Sequence, residues 1–237
     1  MKLQLVVRRA PAMAGVRWLQ QAWAIFKKYP GLCIQTVMLI HFTSLLGALH
    51  PLLGVIAALL NPFLTAGLYR CVVAMQQQQQ VSMQDFWIPL KDSSVRAVFL
   101  RLAAANMLLS IPLTLLATQL ATDIAAGVNN LGLMFVFVML LSLVMMMFAY
   151  AVAIAYFLKE KRLFPILQAS LLACWRNVQP LTIYGLLAIG LLMTGIPTLF
   201  FTWLLVLPLL SISFFLSFSE FFALTPASDN KVEYLEV

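Results

Sequence analysis

Apolar residues gather in long continuous stretches along the chain, and polar residues are confined to the gaps between them. A hydrocarbon core about 30 Å thick takes about 20 helical residues to cross. Stretches of that size fall at about 31–49, 52–75, 97–120, 131–157, 180–196 and 199–222. His50-Pro51 parts the first two, because proline readily ends a helix. Ala121 to Asn130 joins the third and fourth, with Asp123, Gly127 and the turn pair Asn129-Asn130. Gly195-Ile196-Pro197 joins the last two. The stretches do not alternate between apolar and polar residues, so the pattern predicts helices rather than barrel strands. The predicted fold is all-α: a polytopic transmembrane bundle of six spans in three hairpins. It forms a single domain over 1–224, followed by a polar cytoplasmic tail over 225–237.

Composition excludes a water-soluble fold. Of 237 residues, 63% are hydrophobic and 10% charged, with mean hydropathy +0.96. A soluble domain carries about 25% charged residues. The charge that remains is placed unevenly. All fifteen Lys and Arg fall in four clusters: Lys2 to Lys28, Arg70 to Arg101, Lys159 to Arg176, and Lys231. The three hairpin turns between them contain none. Lys and Arg near span ends are retained on the cytoplasmic side, so both termini are expected there, in a bacterial inner membrane. The formal charge of +7 then faces anionic lipid headgroups, and nucleic acid is not an expected partner. Met1 to Val7 is too short an apolar run for a signal peptide, so the first stretch is read as a retained span. Cys33, Cys71 and Cys174 share no CxxC spacing and read as small apolar residues rather than disulfide partners.

Each hairpin is preceded by an amphipathic segment. Leu19, Ala22, Trp23 and Phe26 share one helical face in the first. Met83, Phe86, Trp87 and Leu90 do so in the second, where Ser82 and Asp85 form a capping pair and Pro89 limits the helix. Leu167, Leu171, Trp175 and Val178 do so in the third. Such segments either lie in the interface plane, apolar side down, or extend the spans; the interfacial reading is preferred. Trp18, Trp23, Trp87 and Trp175 on the basic side, and Trp203 at the opposite end, are expected as interfacial anchors.

The run Trp18-Leu-Gln-Gln-Ala-Trp23-Ala-Ile-Phe26, closed by Pro30, resembles the opening of an uncharacterised six-span family of proteobacterial inner-membrane proteins. Asn61-Pro-Phe-Leu-Thr-Ala-Gly67, with Asp85-Phe86 after it, is similar to that family's second-span and loop signature. A more distant similarity is to the membrane domain of some glycerophosphodiester phosphodiesterases. Nothing in the chain matches their catalytic domain, so the resemblance implies a six-span fold and no reaction.

Candidate chemistry is sparse. Arg70 and Arg101 lie near span ends and can snorkel to the interface. Glu220 shares a face of the last span with Ser213 and Ser217. Three readings stand open for it: a buried ion pair with Arg70, Arg101 or Arg176, a polar cavity wall, or contact with headgroup water. His41 and His50 do not share a helical face and have no companion ligands, so no metal is expected. Asn61-Pro62, Asn106, Ser110 and Pro112 interrupt or pack spans. No catalytic constellation, nucleotide motif or cofactor site stands out. The expected function is a non-enzymatic membrane scaffold that binds lipids or protein partners, a second copy among them. The alternative is a small transporter or channel with a path among the second, third and sixth spans.

Overall fold

The computed structural model describes residues 7–222, and the expected polar tail lies outside them. Among the described residues all regular structure is helical. The chain opens with α1 (Ala14–Lys28). A hairpin of α2 (Pro30–Leu49) and α3 (Pro51–Gln76) follows. Two short pieces come next, α4 (Met83–Phe86) and α5 (Ile88–Lys91). The long α6 (Ser93–Ala125) pairs with α7 (Leu131–Phe148), which α8 (Ala151–Phe157) continues after a break. Then come α9 (Leu163–Arg176), α10 (Val178–Met193) and α11 (Trp203–Phe221).

Five helical segments are long and apolar enough to cross a membrane: α2, α3, α6, α7 with α8, and α11. The fifth of the six expected spans corresponds to α10, which has only 16 residues. The chain leaves helical geometry after Met193 and passes through turns over 194–202. Leu199 and Phe200 take φ of 49° and 67° there, a left-handed conformation that no α-helix continues through. The connection is therefore longer than the expected Gly195-Ile196-Pro197.

Local chemistry sets the other boundaries. Pro51 opens α3, and the His50 ring accepts the Leu52 N–H at 3.2 Å. Asp92 opens α6 by accepting the Ser94 N–H at 2.9 Å. Hydrogen bonds from the Ser94 side chain, and then from its N–H, hold the Asp92 carboxyl below its ordinary 3.8. A depressed carboxyl contributes stability above its unfolded value and loses it as pH falls through the folded one. Asp92→Ala should therefore cost about 1 kcal/mol at neutral pH. Melting curves of the two proteins should converge as the medium is acidified below the ordinary value.

The core sits at one end of the bundle. Buried residues of α3 begin at Pro62 and reach Met75, and those of α6 run from Val95 to Ala103. Those of α8 run from Ala151 to Tyr156, and those of α11 from Val206 to Phe221. This is the end that carries the Lys and Arg clusters. The opposite halves of α6 and α7 are largely exposed, and α7 buries only Val144. In α11 56% of the most apolar window is buried, against 6% for the window in Leu131–Phe157. So α11 is the most deeply buried of the five long segments and the α6–α7 arm is peripheral.

The amphipathic segments pack by different faces from those expected. In α1 the buried residues are Ala14, Gly15, Trp18, Ala22 and Phe26, while Trp23 is exposed. Small residues decide this: a Cβ at Gly15 would lie 2.9 Å from the Tyr184 Cβ, so α1 and α10 touch almost backbone to backbone. The second segment is two helices, because Pro89 restarts the chain as α5 after Trp87. The Ser82–Asp85 pair does form, the carboxylate accepting the Ser82 N–H at 2.9 Å. Phe86 lies directly over Gly67, whose missing side chain makes room for the Phe86 carbonyl. In α9 the buried face is Ile166, Leu167, Ala169, Ser170, Ala173 and Cys174, and Trp175 points outward.

Candidate functional site: the basic end of the bundle

The polar stripe on α11 organises this end. Ser213 and Ser217 each donate to a carbonyl of their own helix, Leu210 at 3.0 Å and Phe214 at 2.6 Å. Their lone pairs are thereby left to accept. Tyr184 of α10 brings its hydroxyl to 2.9 Å from Ser213 Oγ, and Tyr150 brings its own to 2.7 Å from Ser217 Oγ. At the third position, Trp18 of α1 donates its indole N–H to Glu220 Oε2 at 2.7 Å. Three aromatic side chains from three elements thus each pair with one polar group of α11. Each ring also packs: Trp18 lies edge-on to Tyr184 and Phe221, and Tyr150 stacks on Phe214 at 5.0 Å.

Glu220 has a different cationic partner from those expected. Its Oε1 accepts from Arg17 Nη2 at 2.6 Å. Arg70 on α3 and Arg101 on α6 do not reach it. Arg101 is exposed, and the buried Nε of Arg70 has no hydrogen-bond partner among the described residues. Arg176 donates instead to the Val7 carbonyl at 3.3 Å. The side chains of Arg17 and Glu220 remain 52% and 30% exposed, so the pair is not buried. An exposed ion pair contributes about 0–1 kcal/mol; the buried Trp18 donor fixes the carboxylate more firmly.

The expected anchors divide. Trp18 is 1% exposed and belongs to the core, not the interface. Trp203 is partly buried and ties the turn after α10 by donating to the Leu192 carbonyl at 3.0 Å. Trp23, Trp87 and Trp175 are 40%, 36% and 71% exposed. Lys27 lies 5.9 Å from the Trp23 ring centre, and Lys159 lies 4.9 Å from that of Tyr156.

Two buried polar residues carry contacts that no motif in the chain foreshadows. Asn177, between α9 and α10, is fully buried. Its carboxamide oxygen accepts the Ala10 N–H at 2.7 Å, and its NH₂ donates to the Arg8 and Ala173 carbonyls at 3.0 Å each. Arg8 N–H also reaches the Phe221 carbonyl at 2.8 Å. The segment before α1 is therefore held between the ends of α9 and α11. Ser170 is the second. Its hydroxyl donates to the Met146 carbonyl at 2.8 Å and accepts the Tyr150 N–H at 3.0 Å. These two backbone groups would pair with each other in an unbroken helix. The inserted hydroxyl is the cause of the α7–α8 break, and it turns Tyr150 toward Ser217. Neither residue stands in a motif: Asn177 is flanked by Arg176 and Gln179, and Ser170 lies two residues after Gln168.

Among the described residues no three His, Cys, Asp or Glu side chains gather to hold a metal, and Cys33, Cys71 and Cys174 are free and buried. The fold defines a helical, multi-pass membrane protein whose packed core and polar network lie at its basic end. No protein-family description, curated protein or solved structure matches the chain.

Proposed function

We propose that the chain is a non-enzymatic scaffold of a bacterial inner membrane, whose basic end faces the cytoplasm and binds anionic lipids or protein partners. It crosses the bilayer six times, with α10 and the turn after it as the fifth crossing, α11 as the sixth, and both termini cytoplasmic. The observation that carries the reading is the construction of the collar. α1 and α9 each bury one face in the core and turn a tryptophan outward, Trp23 beside Lys27 and Trp175 beside Arg176. An exposed indole next to a cation suits headgroup depth.

The second reading is a transporter or channel path among α3, α6 and α11. Aromatic contacts occupy that place at the packed end. Phe63 of α3 meets Phe99 of α6 at 5.1 Å, and Tyr69 of α3 stacks on Phe215 of α11 at 4.5 Å. These contacts favour the scaffold.

Purification of the intact protein in mild detergent, with bound lipids and proteins identified by mass spectrometry, tests the proposal. Enrichment of anionic over zwitterionic phospholipid, reduced by joint replacement of Lys27 and Lys28 with Gln, is the expected result. Recovery of the bare protein would count against it. Orientation is checked separately by labelling single cysteines at Ser94 and Asn129, which should react from opposite sides of the membrane.

A further inference from the structure

α3 carries polar groups at a depth where the described residues do not pair with all of them. Asn61, Thr65 and Tyr69 follow one another at helical spacing on one face. Thr65 donates to the Asn61 carboxamide oxygen at 3.0 Å, which leaves the Asn61 NH₂ and the Tyr69 hydroxyl without partners among the described residues. Pro62 has no N–H, so the Ala58 carbonyl lacks its donor one turn on. Asn106 of α6 also makes no side-chain hydrogen bond among the described residues. Asn61 lies about 22 Å from the basic end of α3 and Asn106 about 20 Å from the start of α6 at 1.5 Å per residue. A hydrocarbon core is about 30 Å thick, so both amides sit deep within it, where an unmatched polar group is costly.

Two clefts open beside this face. One, of 210 Å³, lies between α3, α6 and the α7–α8 break and is lined by Ala58, Asn61 and Asn106. The other, of 380 Å³, lies between α2, α3, α10 and α11 and is lined by His41 and Ser211. Thr65 and Tyr69 line both. No Lys, Arg, Asp or Glu lines either cleft, so neither is built for a phosphate group. The free groups are donors from Asn61, Tyr69 and Asn106 and acceptors at the Asn106 carboxamide oxygen and the Ala58 carbonyl. That set matches a neutral head with several acceptors and one donor.

We propose that this face of α3, with Asn106, binds the head of a diacylglycerol that enters sideways from the hydrocarbon. Its two ester carbonyls accept from the Asn61 and Asn106 amides and the Tyr69 hydroxyl. Its free hydroxyl donates to the Ala58 carbonyl, and its acyl chains stay in lipid. The site requires membrane embedding but not the collar's role, and it lies far from Lys27 and Lys28.

The test uses the full chain in nanodiscs of dioleoylphosphatidylcholine with a dioleoylglycerol probe carrying a diazirine in one acyl chain. Labelling should saturate, map to α3 and α6, and be competed by unlabelled dioleoylglycerol but not by dioleoylphosphatidylglycerol. Asn106→Leu and Tyr69→Phe should each lower it at least fivefold, while replacement of Lys27 and Lys28 by Gln leaves it unchanged. Asn106 is exposed, so its replacement keeps the fold even where that of Tyr69 does not. Unsaturable labelling, equal competition by the anionic lipid, or undiminished labelling of Asn106→Leu would overturn the proposal.

Discussion

Trp18→Ala should be the most destabilising single change at the basic end, costing about 3–5 kcal/mol as a large-to-small core substitution. The indole is 1% exposed and packs edge-on to Tyr184 at 5.9 Å and Phe221 at 5.5 Å. Its removal leaves a void where α1, α10 and α11 meet and takes the N–H from Glu220 Oε2. Trp18→Phe separates the two effects: it keeps most of the ring contact and loses the hydrogen bond, at about 1–3 kcal/mol. Trp23→Ala is the control, because its ring is 40% exposed and surface changes usually stay within about 0.5 kcal/mol. Thermal melting in detergent should rank the variants Trp18→Ala, Trp18→Phe, Trp23→Ala from least to most stable. Equal melting of the two alanine variants would refute the core assignment of Trp18.

Asn177→Leu should release the segment before α1. The side chain is fully buried and satisfies the Ala10 N–H and the Arg8 and Ala173 carbonyls. A leucine fills similar volume but leaves those groups unmatched, each at about 1–3 kcal/mol. Because the groups share one site, the total is less than the sum. Asn177→Asp is the sharper probe: it keeps an acceptor for Ala10 and turns a carboxylate oxygen toward two carbonyls. The readout is local. Arg8 and Arg9 lie in the clamped segment, so trypsin should cut there at least tenfold faster in both variants. An unchanged rate of cutting would mean that Asn177 does not hold the segment.

The helices were legible in the sequence because continuous apolar runs of membrane length admit few alternatives. His50-Pro51 placed the α2–α3 turn correctly, and Ser213, Ser217 and Glu220 were recognisable as one stripe on α11. Which side chains meet that stripe was not legible. Arg17 and Trp18 are separated from Glu220 by 203 and 202 positions, and helical periodicity speaks only of neighbours within a few turns. The inward faces of α1 and α9 were misread for a related reason. Aromatic residues at helical spacing suggest the packed side, but the buried faces are built on the small residues Ala14, Gly15, Ala22, Ala169 and Ala173, which let backbones approach. In lipid an exposed indole costs little, so Trp23 and Trp175 could turn outward. Ser170 was invisible because its role is to replace one backbone hydrogen bond in another helix, for which a single serine gives no pattern.

The enclosure of α11 bears on the order in which the molecule is made. The most deeply buried of the long helices is the last of the described helices to leave the ribosome. Until residues 203–221 are synthesised, Trp18 has no Glu220 or Phe221 to meet, and Tyr150 has no Ser217. The earlier spans can already pack on one another through Phe63 on Phe99 and Phe99 on Tyr156, but the contacts that α11 supplies are missing. The docking of α1 is complete only when the final helix inserts, so a chain truncated before Trp203 should be a quality-control substrate rather than a smaller stable bundle.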